Sequence, residues 1–155
     1  QQDVSESGID VIKVYDPSIP EISIDIYLLE QSVLNLVKNA KESLEEGEVF
    51  SPELRIVTRV LRQEFLGQTQ HKTVCSISVT DNGPGIPKDL KDSIFFPMIS
   101  SKATGSGLGL SITQGIISQH NGIIKCKSEP GKTEFSILIP IKHQVHDQEL
   151  RKANA

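Results

Sequence analysis

At 155 residues the chain has the size of one domain with a real core. Its net charge of −4 argues against a nucleic-acid-binding surface, and no apolar run nears the length needed to span a bilayer. It opens on Gln without a signal-peptide pattern, which is expected of a piece of something longer. Residues 9–15 (IDVIKVY) alternate as a strand, and DPSIP follows as a turn-rich connector. Asp25 is the expected N-cap of a long helix over 26–46. Its apolar stripe is Leu29, Val33, Leu36, Val37, Ala40 and Leu44, and Gly47 ends it. Leu54, Ile56, Thr58 and Val60 then share one strand face. Cys75, Ile77 and Val79 share another, opposite Ser76, Ser78 and Thr80. The segment between, LGQTQH, reads as the loop of a long hairpin. A short helix is expected over 88–96, ending before Pro97, and a second long helix over 108–120, stopped by Asn121-Gly122. Two strands near 123–128 and 133–139, joined by EPGK, complete the order. Residues 141–155 are polar without periodicity and read as a frayed tail, so the domain is expected to occupy 1–140.

Strands paired mostly antiparallel, with long helices between them, predict an α+β fold. Its expected form is a two-layer α/β sandwich, a mixed sheet covered on one face by helices. Cys75 and Cys126 both fall in strand segments and read as reduced, half-buried thiols rather than a disulfide or a metal pair.

Two glycine-rich strings carry the chemistry. Residues 81–87 read DNGPGIP, and residues 105–110 read GSGLGL. Glycines this dense sit where backbone turns tightly or lies against a ligand. Asp81 closes a strand. A buried carboxylate only accepts hydrogen bonds, so it suits the exocyclic amine of adenine and repels the carbonyl of guanine. The discrimination is about 1–3 kcal/mol, the penalty of an unpaired buried group. Gly83 and Gly85 let the chain pass close to a base. The second string leads into the helix near Leu108, where free amides and the helix dipole make an anion site. Gly105, Gly107 and Gly109 allow a phosphate chain to approach. The string is neither a P-loop, which needs a following Lys-Ser/Thr, nor a dinucleotide fingerprint, which needs a preceding strand. The segment before it (FFPMISSKAT) is a candidate lid, with Phe95 and Phe96 as anchors and Lys102 as a cation for the terminal phosphate. On the first helix Asn35 and Asn39 lie roughly 40° apart and are expected to point away from the apolar stripe. One such amide oxygen suits Mg²⁺, which needs few side-chain ligands at a nucleotide.

NLVKNA (35–40), DNGPGIP (81–87), IFFPMISSK (94–102) and GSGLGL (105–110) occur in this order. Together they resemble the N, G1, F and G2 boxes of the ATP-binding fold of sensor histidine kinases, DNA gyrase, the heat-shock-90 chaperones and the MutL repair proteins. HNGII (120–124) and PGKTEFSILIP (130–140) also look like the kinases. The lid and the long hairpin look most like nitrogen-regulation sensor kinases. The resemblance implies ATP and Mg²⁺ as ligands. Asn39 would hold the metal and Asp81 the adenine, with Gly83, Gly85 and Ile86 beside the base and Thr133 close to Asp81. Lys102, Gly105, Gly107, Leu108 and Gly109 would serve the phosphates. Many relatives carry a basic residue and a Tyr or His three and four positions after the metal-binding Asn. Here Glu42 and Ser43 stand there, with Lys38 or Lys41 as candidate substitutes.

Hydrolytic and serine-kinase relatives place a Glu base four residues before that Asn. This chain has Asn35, which takes no proton at pH 7, so histidine is favoured as acceptor over water. His71, His120, His143 and His146 sit in no acceptor motif. His71 is expected in a hairpin loop and His120 at a helix end. The reading is therefore a kinase catalytic domain without its acceptor. Its expected partners are a histidine-bearing dimerisation domain and a regulator protein. It would be cytoplasmic, and monomeric when alone. The alternatives are an ATPase or serine kinase of the same superfamily, or a non-catalytic nucleotide sensor.

Overall fold

The computed structural model describes residues 8–99 and 109–142. Helix α1 runs Ile26–Glu46, starting where the sequence places it. The Asp25 carboxylate accepts from the amides of Tyr27 (3.0 Å) and Leu28 (3.2 Å), closing two of the donors that a helix start leaves open. Ser32, Leu36, Ala40 and Leu44 are buried, and Leu29, Val33 and Val37 pack against the same core. The C-terminus differs from the usual glycine stop. Gly47 has an ordinary φ of −78°, and Glu48 takes the positive φ, 46°. A Cβ on Gly47 would stand 2.7 Å from the Pro84 ring, so glycine is required there by the approach of the 81–87 loop.

Strands β1 (Asp10–Val14), β2 (Glu53–Leu66), β3 (Thr69–Asp81), β4 (Ile123–Glu129) and β5 (Lys132–Pro140) form one sheet in the order β1-β2-β3-β5-β4. Only β1 and β2 pair in parallel. Helices lie over one face, as expected of the α+β sandwich. Beneath them sit Leu54, Val79, Phe135, Ile137 and Ile139, each at most 3% exposed. The opposite face carries Arg55, Ser78, Lys125 and Ser136, the alternation of a half-solvated sheet.

Three expectations are corrected. The segment LGQTQH is almost wholly strand: pairing runs on to Leu66↔Thr69, and Gly67 (φ 66°) with Gln68 makes the turn. His71 therefore lies in β3 opposite Glu64, not in a loop. The helix expected over 88–96 is only a 3-10 turn at Lys91–Ser93. There the amides of Leu90, Ser93 and Phe96 each donate to a carbonyl three residues back, at 3.0 Å. The segment still delivers its apolar groups, with Phe95 edge-on to Phe135 at 6.3 Å. Finally, Ile141, assigned to the tail, is buried, and its amide donates to the Thr73 carbonyl at 3.1 Å. The rest of the tail, 143–155, lies outside the described residues.

Helix α2 (Gly109–Gln119) buries Thr113, Ile116 and Ile117. Asn121 takes the left-handed conformation (φ 59°), and the Gly122 amide closes on the Ile117 carbonyl at 3.0 Å, so the stop signal works as read. Cys75 and Cys126 are free thiols. Burial raises both, Cys126 to about 11, so they stay protonated and inert at neutral pH.

Leu36 is fully enclosed at the centre of the α1 contact with the sheet. Leu36→Ala should cost about 2–5 kcal/mol in urea unfolding, and a cost near zero would contradict this packing.

Candidate nucleotide-binding site

β3 ends on Asp81, which is 4% exposed. It stands opposite Leu54 on β2 and Thr133 on β5. The carboxylate accepts from the Gly83 amide at 2.9 Å. A Cβ on Gly83 would lie 2.7 Å from both the Asp81 carboxylate and the Ser43 hydroxyl, which explains the glycine. Gly85 has φ 87°, and a Cβ there would press within 2.8 Å of the Glu129 carbonyl. The loop is thus clamped between the end of α1 and the β4–β5 turn. Asn82 fixes its outer side: Oδ1 accepts from the Glu53 amide (2.7 Å), and Nδ2 donates to the Ser51 carbonyl (2.8 Å).

Ser128 and Ser43 are site residues that sequence reasoning missed as contacts. The Ile86 amide donates to the Ser128 hydroxyl at 2.8 Å, and that hydroxyl is 2.8 Å from the Thr133 hydroxyl. Ile86 and Thr133, expected to lie near Asp81, are joined through Ser128, and Thr133 pairs with Asp81 across β3 and β5. The signal existed in part, since a short β4–β5 turn puts 128 opposite 133, but only the register shows it. Ser43 was noted for what it replaces. In the structure its small size lets Gly83 approach α1.

Asn35 and Asn39 are both half-buried on α1. Asn35 does not point away from the packed side of the helix. Its Nδ2 lies 3.3 Å from the Thr113 hydroxyl and 3.5 Å from the Gly109 carbonyl, where α1 meets α2. Lys38 and Lys41 form exposed ion pairs with Glu42 (4.0 Å) and Glu45 (3.9 Å) on the same helix. Such pairs contribute little to stability. Gly109 begins α2, and among the described residues a Cβ there would touch nothing within 4 Å. Lys102, Gly105, Gly107 and Leu108, with the lid from Ser100 on, lie outside the described residues. His120, expected at a helix end, lies just past α2 and ties that end to the start of α1. Its Nε2 accepts from the Asp25 amide at 3.2 Å, which leaves Nδ1–H to donate to the Ile116 carbonyl at 2.9 Å.

The site thus holds a buried carboxylate bonded to a glycine amide, with the Ser128 and Thr133 hydroxyls on the neighbouring strands. Residues 24–143 match the family model described as histidine kinase-, DNA gyrase B-, and HSP90-like ATPase. The chain belongs to this family, and within it has the sequence of a histidine kinase ATP-binding catalytic domain.

It is 44% identical over 137 residues to the sensory histidine kinase/phosphatase NtrB of Vibrio alginolyticus, an alignment covering 88% of this chain and 39% of that protein. The NtrB of Rhodobacter capsulatus is 40% identical over 136 residues, 84% of this chain and 37% of that one. The chain therefore spans about two fifths of the length of these relatives. Among solved structures, the nucleotide-free catalytic domain of histidine kinase ThkA superposes with a TM-score of 0.70 at 28% identity, covering 89% of this chain and 82% of that one. Full-length ShkA in complex with AMPPNP gives 0.70 at 25% identity, covering 88% of this chain and 26% of that one. No helix among the described residues is long and apolar enough to cross a membrane.

Gly83→Ala should push the Asp81 carboxylate off its position. ATP affinity is expected to fall about tenfold, the equivalent of one lost buried hydrogen bond. Unchanged affinity by calorimetry would show that the carboxylate does not face the base.

Proposed function

We propose that this chain is the nucleotide-binding half of a sensor histidine kinase of the nitrogen-regulation type. It would present the γ-phosphate of Mg²⁺-ATP to a histidine on a separate dimerisation domain, from which a signalling regulator protein takes it. The observation that carries the reading is Asp81: buried, bonded to Gly83 and set opposite Thr133, it is an acceptor aimed at an adenine amine. Thr133 and Ile86 would complete the base pocket, tied through Ser128. Gly109 at the head of α2, with Gly105, Gly107 and Leu108 before it, would present backbone amides to the phosphates. Lys102 would add a point charge at the terminal phosphate.

Asn39 would hold Mg²⁺ through its amide oxygen. The described residues contain no group of three His, Cys, Asp or Glu that could cage a metal, so an ion arriving with the triphosphate fits best. When bound, the ion neutralises charge developing on the transferring phosphoryl group. The protein's own part is to fix the nucleotide and exclude competing chemistry. Asn35 serves that exclusion: an amide gives water no base, whereas a neutral imidazole already offers a lone pair. Among the described residues His71 lies on the hairpin and His120 has both ring nitrogens engaged, and His143 and His146 sit in no acceptor motif of the sequence, so the acceptor fits best on another domain. The NtrB likeness supports nitrogen regulation, and the setting proposed for the domain is cytoplasmic. An isolated domain of this kind should be monomeric, with dimer contacts supplied elsewhere.

The decisive experiment mixes the chain with γ-labelled ATP and a separately prepared dimerisation domain. Acid-labile label on histidine supports the proposal. Free phosphate released without the acceptor would instead indicate a hydrolase, and nucleotide binding with neither product would indicate a sensor. Asp81→Asn should weaken ATP binding about tenfold, because only half of the new amide accepts. Asn39→Ala should remove most of the Mg²⁺-dependent gain in affinity while leaving metal-free binding close to wild type.

A further inference from the structure

The nucleotide reading leaves Thr113 unused. It is fully buried in α2 beside Ile116 and Ile117, and carries a hydroxyl where valine would fill the same space. Threonine is a mediocre helix former, and a buried hydroxyl is costly unless bonded. Here it is bonded twice. It donates to the Gly109 carbonyl at 2.9 Å, and its oxygen lies 3.3 Å from Asn35 Nδ2. Asn35 Nδ2 also lies 3.5 Å from the Gly109 carbonyl. A carbonyl only accepts and the hydroxyl proton is already engaged, so the Asn35 group facing both must be the amide nitrogen. Three groups from two helices thus meet at the first residue of α2.

We propose that Asn35 and Thr113 are positioning residues that fasten the first turn of α2 to α1. They would thereby hold the phosphate-binding amides in register with Asn39, one helical turn along α1. The inference rests on the nucleotide reading above and deepens it. The far end of α2 is fastened independently, through His120 to the Asp25 amide and the Ile116 carbonyl. With both ends tied, α2 can neither slide along α1 nor pivot about its buried middle. Among the described residues nothing lies within 4 Å of a Cβ built on Gly109. Among them it is the hydrogen bonds that fix the position of this first turn. In this account Asn35 touches no nucleotide, and its effect reaches the phosphates through α2.

The test uses Asn35→Ala, Thr113→Val, their combination, and Thr113→Ser, with folding checked by thermal unfolding. Binding of ATP and of adenosine is measured for each, because adenosine reports only the base pocket. Asn35→Ala and Thr113→Val should each lower ATP affinity about three- to tenfold, the range of one lost hydrogen bond, and leave adenosine affinity unchanged. The double variant should lose no more than the worse single one, and Thr113→Ser should retain wild-type affinity. Amide exchange at Thr113 and Gln114 in the nucleotide-free protein should quicken in both single variants. The proposal is overturned if ATP and adenosine affinity fall together, if the losses add, or if exchange does not change. Should wild type bind neither ligand, the nucleotide reading fails on its own, and the exchange measurement alone decides the tether.

Discussion

A carboxylate can remain in a protein interior only where donors meet it, and much of this structure follows from keeping Asp81 there. It sits at the end of the central strand β3, flanked by β2 and β5. One donor comes from two residues on, the Gly83 amide. To supply it the chain must fold back tightly, and three glycines permit this. Gly83 lies on the carboxylate, Gly47 lets the end of α1 reach Pro84, and Gly85 lies on the Glu129 carbonyl. The surroundings of Asp81 are thus shaped by close backbone approaches.

The proposed phosphate side depends on a different contact, the antiparallel packing of α1 on α2. Core residues Leu36, Ile116 and Ile117 bring the helices together, but apolar contact is non-directional and does not fix their register. Polar groups fix it. Asn35, Thr113 and the Gly109 carbonyl meet at one end, and His120, Asp25 and the Ile116 carbonyl at the other. Since α1 also carries Asn39 and Ser43, this helix pair connects the proposed metal, phosphate and base sides in one unit. Catalysis of phosphoryl transfer is largely positioning, so such a unit is what a catalytic half-site requires.

The elements read from the sequence with best success were those with a local cause. Asp25 caps α1 because its side chain reaches amides two and three residues away, and Asn121 stops α2 because it tolerates positive φ. The misreadings were all set from further off. LGQTQH looked polar enough for a loop, yet cross-strand pairing with β2 carries it as strand to Thr69. The 88–96 segment, expected as a short helix, settles into successive three-residue turns while Ile94 and Phe95 reach the core. Asn35 looked like outward polarity because one helix viewed alone has no second helix beside it.

Four ordered motifs are properties of the string, so the family was legible without coordinates. Their glycines and acid carry meaning by type and spacing. What only the tertiary structure decided is which groups meet across the fold. Ser128 joins Ile86 to Thr133, Ser43 stands against Gly83, and Asn35 bonds Thr113, 78 residues along the chain. Contacts at that separation depend on strand register and helix packing, which arise from burial of the whole core and leave no local mark in the sequence.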